Sequence, residues 1–537
     1  MFCYQCEQTA KGTGCTIRGV CGKEDSVARL QDILIWSLQG LSQVAHRARQ
    51  LNIIDKEADI LVFEGMFSTI TNVNFDPDRV FSLICKTVEK RDLLKEKTGI
   101  NPAGPAQFKA GKNQEELLAQ SDQVSLWQHI EKMGEVRAGL LHLILYGLKG
   151  ISAYADHAKV LGYYDEAIAG KFHELMNFIA QGDHTQEDLL EKVLETGKLN
   201  LSVMGLLDKA NTETYGHPEP MKARMSPIKG KAILISGHDL KDLEALLEQS
   251  KGKGINIYTH GEMLPALAYP KFKHYDHFIG NYGSAWQNQL SEFAQFPGPI
   301  LMTTNCIQRP SSKYMDRIFT SGLVAWPGVV HIADRNFSPL INTALSMEGF
   351  TEDAPEKVAD IGFAHHAVLG LAEVLLAKIN EGKIKHIFLI GGCDGAKPGR
   401  SYYTDFAKAT PPDTLLLTLA CGKYRINKES WGDIDGIPRL LDVGQCNDAY
   451  SAVLIAKALA EALSAEINDL PLTLVLSWYE QKAVAVLLSL LSLGIKNIRI
   501  GPSLPAFIKA PVWEILQNQW GMKAIDDPQK DLQEILK

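Results

Sequence analysis

The chain has 537 residues, which is too long for one hydrophobic core and predicts about three domains. Its hydrophobic fraction of 45% and charged fraction of 22% are those of an ordinary soluble globular protein. A net charge of −8, without a basic stripe or motif, argues against nucleic-acid binding. The longest uncharged apolar stretch, around residues 483–495, is too short to span a bilayer, so we expect a cytoplasmic protein with no membrane contact.

Four cysteines stand within the first 21 residues, spaced C-x2-C-x8-C-x5-C and interleaved with glycines. Four thiolates so close in sequence can surround one inorganic core, and the glycines let backbone N–H groups approach the sulfurs. An iron–sulfur cluster is favoured over a single zinc ion because the two halves of the motif are unequal. It is favoured over disulfides because no secretory segment precedes the cysteines and the cytosol is reducing. Zinc and disulfides remain the alternatives; the residues are Cys3, Cys6, Cys15 and Cys21.

The region from Val27 to about Asp208 has a helical pattern throughout. Apolar residues recur at i, i+3 or i+4 along residues 30–44 and again along residues 126–148, which predicts a helical bundle. Cys85 lies in an amphipathic stretch without ligand-type neighbours, so we expect a small buried thiol there. A stretch containing proline and glycine, residues 214–230, predicts a linker or a change of domain.

The second half of the chain alternates short runs of Ile, Leu and Val with amphipathic helical segments, which predicts parallel sheets with crossover helices. It can be divided at a predicted helix, residues 362–380, and both parts open with a strand that runs into a glycine-containing turn. We therefore predict an α plus α/β multidomain protein: a helical domain with the cysteine loop (1–215), then two α/β domains (216–370 and 371–537). The only G-x-G, at residues 252–254, precedes a strand, so no nucleotide-binding fingerprint is present.

Seven metal-capable residues each lie just past the carboxyl end of a predicted strand, where open α/β sheets place their ligand sites. A lone His or Glu there is more often a helix cap or a turn residue, but four cysteines in the same structural position are hard to explain as buried hydrophobes. Thiolates, an imidazole and carboxylates mix soft and hard donors, which suits iron sites that also carry oxygen and can open a position to a small substrate. The seven are His238, Glu262, Cys306, Cys393, Cys421, Cys446 and Glu480.

The N-terminal MFCYQCEQTAKGTGCTIRGVCGK and the segments SGHD, THGEM, TTNCIQ, GGCDGAKPGR, LACGKYR, VGQCNDAY and SWYEQKAV resemble, in order and over the whole chain, those of the hybrid cluster protein family, also called prismane proteins or hydroxylamine reductases. The resemblance implies an N-terminal helical domain, two Rossmann-like α/β domains and a hybrid cluster between the domains. By resemblance, the seven strand-end residues hold a hybrid [4Fe–2O–2S] cluster, with a persulfide on Cys393. The four N-terminal cysteines would hold a [4Fe–4S] cluster, since their compact spacing is that of one branch of the family.

The resemblance also implies an oxidoreductase that reduces hydroxylamine to ammonia and water, with nitric oxide reduction in nitrosative stress defence as a further role. The electrons would come from an external reductase or small redox protein. Catalytic candidates are Lys482, Glu480 and His238, and Lys482 would also contact the cofactor, either donating a proton or neutralising an anionic cluster; the alternative is a solvent-facing helix residue. Two rival functions remain: a nickel carbon monoxide dehydrogenase, against which the two glutamates argue, and a non-enzymatic nitric oxide sensor.

Overall fold

The first 215 residues contain only helices and short turns in the computed structural model, which describes all residues from 1 to 537. Six of the seven α-helices are preceded by a polar residue whose side chain accepts a backbone N–H of the first helical turn. These capping residues define where the six helices begin. The predicted helical bundle is confirmed. Its helices are α1 (Asp25–Gln50), α2 (Lys56–Ser68), α3 (Pro77–Thr98), α4 (Gln114–Gln120), α5 (Leu126–Val160), α6 (Glu166–Gln181) and α7 (Gln186–Tyr215).

Helix α5 contains a long buried segment. Its backbone is interrupted at Gly134, with φ 78° and ψ 165°, and nearly every residue from Ala138 to Ala158 is buried. By length and composition, one 18-residue window of the helical stretch Gln114–Val160 could cross a membrane, but that window is wholly buried within the protein. This apolar segment therefore serves as a core helix of the folded protein.

The prediction for Cys85 is wrong. The thiol is exposed, because the buried face of α3 is formed by Val80, Ile84, Thr87 and Leu94 and residue 85 points away from it. In a short amphipathic stretch, the sequence pattern allows more than one choice of which helix face is buried. The prediction assigned Cys85 to the buried face, whereas it lies on the exposed one.

The first α/β region holds a six-stranded sheet in which every neighbouring pair is parallel, in the order β4-β3-β2-β5-β6-β7. A short strand, β1, lies within the predicted linker and pairs antiparallel with β8. The elements are β1 (Met221–Arg224), β2 (Lys231–Ser236), α8 (Leu240–Ser250), β3 (Ile255–His260), β4 (Phe278–Asn281), α9 (Gln289–Gln295), β5 (Ile300–Met302), β6 (Ile318–Ser321), β7 (Val330–Ile332), α10 (Ser338–Ser346) and β8 (Val358–Ile361).

The second α/β region holds another parallel six-stranded sheet, in the order β13-β10-β9-β14-β15-β16. The helix predicted over residues 362–380 is two helices, α11 and α12. The elements are α11 (His365–Gly370), α12 (Ala372–Asn380), β9 (His386–Gly392), α13 (Ser401–Ala409), β10 (Thr414–Leu419), β11 (Asp433–Ile434), β12 (Ile437–Pro438), β13 (Leu440–Gly444), α14 (Ala449–Leu463), β14 (Leu472–Ser477), α15 (Gln481–Ser492), β15 (Arg499–Gly501), α16 (Ala510–Trp520), β16 (Lys523–Ala524) and α17 (Pro528–Ile535).

Counting strands along the chain within each sheet gives the same spatial order, 3-2-1-4-5-6, in both regions. This is the Rossmann order, and its first and fourth strands are neighbours at the point where the order reverses. The expectation of a helical domain followed by two Rossmann-like α/β domains is confirmed. The domain boundaries at 215/216 and 370/371 stay predictions.

The helical region and the second α/β region share one hydrophobic core of 78 buried residues. Helix α15 packs against both α5 and α7 within this core. The approach is close at Gly150 of α5, where a Cβ atom would lie 2.5 Å from the carbonyl oxygen of Gln481 and 2.9 Å from Cα of Lys482. A glycine is needed there because any side chain would push the first turn of α15 away from α5.

Candidate metal centres

The four N-terminal cysteines form one compact loop, which we call the outer centre (Cys3, Cys6, Cys15 and Cys21). Cys3 and Cys15 are joined by two backbone hydrogen bonds of 3.1 and 2.8 Å, and the Ala10 N–H donates to Cys15 Sγ at 3.4 Å. At Gly19, a Cβ atom would lie 3.0 Å from Cys21 Sγ. Burial raises the pKa of the Cys6 thiol, and the neighbouring thiols add to that effect. The four sulfurs therefore lie in mutual electrostatic range, and all nine cysteines of the chain are free.

All seven strand-end residues line a single buried cavity, which we call the inner centre. The first sheet contributes His238, Glu262 and Cys306, which follow β2, β3 and β5. The second contributes the other four, Cys393, Cys421, Cys446 and Glu480, which follow β9, β10, β13 and β14. The carboxyl edges of the two sheets therefore face each other across this cavity, as expected for ligand sites in open α/β sheets.

The chain reverses sharply before most of these residues, through positive φ angles. Gly237, Gly261 and Gly392 have φ of 119°, 60° and 101°, each immediately before an inner-centre residue. A Cβ at Gly237 would lie 2.3 Å from Thr303 Oγ1. Ala420, before Cys421, has φ 61° and ψ −162°, a region that essentially only glycine adopts and that costs about 1–3 kcal/mol. Backbone strain is thus stored at the turn that presents Cys421.

Glu262 joins the two sheets. Its Oε1 accepts the Cys421 N–H and its Oε2 accepts the Cys446 N–H, both at 2.9 Å, while Gln445 Nε2 donates to the Glu262 carbonyl oxygen at 2.7 Å. Burial acts to raise the pKa of Glu262, but the hydrogen bond with His238, the charge of Lys482 and the Cys446 N–H outweigh burial, so the pKa is about 2. The carboxylate therefore stays ionised, and its remaining lone pairs are free for a metal.

His238 is oriented by Thr304, whose Oγ1 lies 2.8 Å from Nδ1. This contact leaves Nε2 pointing into the cavity, 3.3 Å from Glu262 Oε2. The ligand atoms of His238, Glu262 and Cys446 all lie within 4.8 Å of one another, as a metal site requires. Hydrogen bonds of this kind commonly fix the orientation of metal-ligating histidines.

Lys482 lies inside the inner centre and is only 2% exposed, so the solvent-facing alternative is wrong. Its Nζ donates to Asn305 Oδ1 at 2.9 Å, and it lies 3.0 Å from His238 Nε2 and 3.8 Å from Glu480 Oε1. Burial acts to lower the pKa of Lys482, but the negative charges around the amine, those of Glu480 and Glu262 among them, raise it further than burial lowers it, so the amine is a cation. Glu480 Oε2 accepts the Lys482 backbone N–H at 2.9 Å and caps α15.

Two of the inner thiols, Cys421 and Cys446, are buried, and Cys306 and Cys393 are half-buried. Desolvation raises the pKa of all four; for Cys393 the pKa reaches about 12. Thiols in such surroundings stay neutral until a cation displaces their protons. Four soft sulfurs beside one imidazole and two carboxylates fit a metal cluster that contains both sulfide-type and oxygen-type iron sites. The donor set is the same one that the sequence placed at the strand ends.

Comparison with known proteins decides the family. The Prismane/CO dehydrogenase family matches residues 1–533. The chain belongs to this family.

Curated relatives cover the full chain and are named hydroxylamine reductases. Those of Syntrophobacter fumaroxidans and Methanocella arvoryzae are 52% and 51% identical, with all of both chains covered. That of Acidithiobacillus ferrooxidans is 49% identical, with 100% of this chain and 99% of the relative covered. The predicted family resemblance is confirmed.

Solved structures of similar fold are carbon monoxide dehydrogenases. The nickel-free enzyme of Thermococcus sp. AM4 has a TM-score of 0.57 at 19% identity, covering 99% of this chain and 89% of the other. Enzyme IV of Carboxydothermus hydrogenoformans has a TM-score of 0.58 at 16% identity, covering 99% and 92%. These likenesses show the fold. Family membership supports iron–sulfur cofactors over the zinc and disulfide alternatives.

Several residues of the inner centre escaped the sequence reasoning. Asn305 donates from Nδ2 to Cys306 Sγ at 3.3 Å, and Tyr479 stacks on Trp286 with ring centroids 4.3 Å apart. Asn305 and Tyr479 directly precede ligand candidates, in TTNC and SWYE, so their position in the sequence could have indicated that they line the site. His157 of α5 stacks on His238 at 6.0 Å and has no local sequence signal, because a helix of another region brings it there.

Proposed function

We propose that this protein is a hydroxylamine reductase, which converts hydroxylamine to ammonia and water. The observation that carries the proposal is the inner centre itself: four thiols, one imidazole and two carboxylates line one cavity beside a buried lysine cation. Full-length relatives at about 50% identity bear this name. The family fold is shared with carbon monoxide dehydrogenases, but the two glutamates favour oxygen-bearing iron sites over nickel.

The cofactors we infer are a [4Fe–4S] cluster at the outer centre and a hybrid [4Fe–2O–2S] cluster at the inner centre, with a persulfide on Cys393. The donor sets support this assignment, since the outer centre offers only thiols and the inner centre mixes thiols with harder donors. When bound, such clusters supply two electrons and an iron site that acts as a Lewis acid toward hydroxylamine. Lys397 and Arg400 follow Cys393 in the sequence, but, against the larger effect of burial, the cation that lowers the pKa of its thiol is Lys482.

In this proposal, side chains of the protein supply the proton for the reaction and fix the positions of the two sheet edges around the cavity. The reaction, NH2OH + 2e⁻ + 2H⁺ → NH3 + H2O, needs a proton at the departing oxygen. Lys482 Nζ is held in the cavity by Asn305 and carries a proton there, and the departing oxygen becomes basic enough to take that proton as the N–O bond breaks, so Lys482 is the proton donor in this proposal. Glu262 holds the two facing sheet edges together, and the buried cavity keeps bulk water away from the reacting atoms.

Ammonia formation from hydroxylamine with a reduced dye as donor tests the proposal. Two electrons should be consumed per ammonia, and metal analysis should find iron without nickel. Lys482→Gln should keep its iron and lose more than about tenfold in turnover, a loss typical of removing an acid–base group. The matched control is Lys530→Gln, at an exposed lysine, which should behave as wild type. Absence of ammonia, or stoichiometric nickel, would refute the assignment.

Electrons come from a separate donor in this proposal, because the chain has no nucleotide-binding fingerprint. An external reductase or a small redox protein in the cytoplasm would fill this role. Nitric oxide is a second candidate substrate: steady-state consumption of nitric oxide would support it, whereas uptake of a single equivalent would indicate a sensor.

A further inference from the structure

One backbone hydrogen bond connects the outer and inner centres. The Glu7 N–H donates to the Tyr479 carbonyl oxygen at 2.9 Å. Glu7 directly follows Cys6 of the outer centre, and Tyr479 directly precedes Glu480 of the inner centre. A path along the polypeptide from one centre to the other can therefore cross between chain segments once, through this hydrogen bond, which joins backbone to backbone; a second crossing runs through the side chain of Gln481, whose Nε2 donates to the Gln5 carbonyl oxygen.

On the inner side of this hydrogen bond, Tyr479 is fixed by packing and by a hydrogen bond of its side chain. The Tyr479 ring belongs to a buried cluster with Trp286 and Cys421, and its hydroxyl accepts a hydrogen bond from Asn72 Nδ2 at 3.2 Å. The Tyr479 side chain is fully buried. Its backbone carbonyl consequently has a fixed position relative to the inner centre.

The segment on the outer side is held by Arg400, which is 1% exposed. Its guanidinium donates to Glu7 Oε2 at 3.2 Å, to the Trp478 carbonyl oxygen at 3.0 Å and to Ser477 Oγ at 2.5 Å. It also reaches the Cys393 carbonyl oxygen at 3.4 Å. One side chain thus contacts the residue after Cys6, the strand end before Glu480, and Cys393.

The Glu7 carboxylate is fully buried, and a buried carboxylate is costly unless it is paired. Lys397 is the other cation near it, at 3.5 Å, but it is 37% exposed and farther away. The ion pair with Arg400 is therefore the closest charged contact that keeps Glu7 against Tyr479, beside the hydrogen bond that Gln481 Nε2 donates to the Gln5 carbonyl oxygen.

We propose that electrons pass from the outer to the inner centre across the Glu7–Tyr479 hydrogen bond, and that Arg400 is the positioning residue that maintains this contact. The inference rests on the proposed function only in requiring a redox cluster at each centre. Each step moves one electron, oxidising the outer centre and reducing the inner one, with no bond formed or broken. Electron tunnelling decays less steeply through covalent and hydrogen bonds than across a gap, so a lengthened contact slows the transfer.

The test is Arg400→Gln in the cluster-loaded protein, reduced by dithionite without hydroxylamine and followed by stopped-flow absorbance and freeze-quench EPR. The outer centre should be reduced at the wild-type rate, while reduction of the inner centre slows by at least about tenfold, with iron content and both midpoint potentials unchanged. Arg400→Lys, which keeps the charge but not the forked geometry, should recover part of the rate. Arg499→Gln is the matched control, because Arg499 is buried like Arg400 and binds Asp531 at 3.1 Å without contacting Glu7 or its partners, and it should stay within about twofold of wild type.

If Arg400→Gln fails to assemble clusters, Glu7→Gln decides, since it removes the same ion pair and keeps the size of the side chain and its backbone N–H. A wild-type rate between centres in an iron-replete variant would overturn the proposal. So would a slower rate fully explained by a shifted midpoint potential. Failure of the wild-type protein to reduce hydroxylamine would refute the proposed function but would leave this rate comparison intact.

Discussion

Replacing Glu262 with glutamine removes an acceptor that the fold uses twice. In the wild type, each carboxylate oxygen accepts one backbone N–H, from Cys421 and from Cys446. A glutamine amide has one acceptor oxygen, so its NH2 group must face one of the two N–H donors. The change therefore breaks one charge-assisted hydrogen bond and leaves a buried donor unpaired between the two sheets.

The magnitude follows from these two losses. A hydrogen bond to a charged group contributes about 1.5–3 kcal/mol, and an unpaired buried N–H costs about 1–3 kcal/mol. We expect Glu262→Gln to lower the free energy of unfolding by roughly 2.5–6 kcal/mol, a large fraction of the total for most domains.

Glu480→Gln is the matched comparison, because only one of its oxygens accepts a backbone N–H. An amide oxygen can keep that bond, so no backbone donor is left unpaired; the loss is of negative charge at the start of α15, about 0.3–1 kcal/mol, and of the charge 3.8 Å from Lys482, which keeps its hydrogen bond to Asn305. This variant should keep most of its iron while turnover falls by more than about tenfold, because the hard donor is lost.

Urea unfolding of the iron-free chains measures the change in the free energy of unfolding. Metal analysis of the loaded proteins measures how much iron each variant keeps. Equal unfolding free energies for the two variants would refute the reasoning about Glu262. Wild-type turnover in either variant would argue against ligation by that residue.

Three further predictions test separate parts of the molecule. Cys6→Ser should remove the EPR signal of the outer centre and leave most of the inner centre assembled, because the two ligand sets share no residue; loss of all iron would contradict this. Cys393→Ser should abolish turnover and the sulfane sulfur found by cyanolysis, and equal sulfane sulfur in both proteins would place the persulfide on another inner cysteine. Asp59 is buried against His173 and Arg49, whose hydrogen bonds and charges outweigh the effect of burial and hold the pKa of Asp59 at about 2. Because this pKa lies below its unfolded value, the carboxylate contributes about 2.5 kcal/mol that is present above about pH 4 and lost as the pH falls toward 2. Asp59→Asn should lose this acid dependence in urea unfolding, and an unchanged pH profile would refute the assignment.

Local pattern predicted the strands and the residues that follow them, since a buried parallel strand is a short apolar run and each inner-centre residue lies just beyond one. It also predicted that these residues meet, because parallel strands bring their carboxyl ends to one edge. The contacts of Glu262 with Cys421 and Cys446 could not be predicted, since they join residues 159 and 184 positions apart across two sheets. The position of His157 depends on how α5 packs on the α/β regions, which no local periodicity encodes.

The two sheets suggest how a mixed donor set arises. Ligand candidates follow strands one, two and four in both Rossmann orders, which pairs His238 with Cys393, Glu262 with Cys421, and Cys306 with Glu480. In every pair, a thiol after a strand of one sheet corresponds to a harder donor after the equivalent strand of the other sheet. Positive φ angles recur before the first two pairs, at Gly237 and Gly392 and at Gly261 and Ala420.

This correspondence supports the hypothesis of two related α/β domains more strongly than the similar opening segments did. Strand three breaks it: Cys446 follows β13, whereas Tyr282 and Gly283 follow the equivalent strand β4. The seventh ligand candidate is therefore an addition to one half of an otherwise paired arrangement. Glu262 accepts the N–H of this unpaired residue as well as that of its own counterpart, Cys421. The carboxylate thus holds the unpaired cysteine in register with the paired positions, and the loss of Glu262 should disturb Cys446 and Cys421 together.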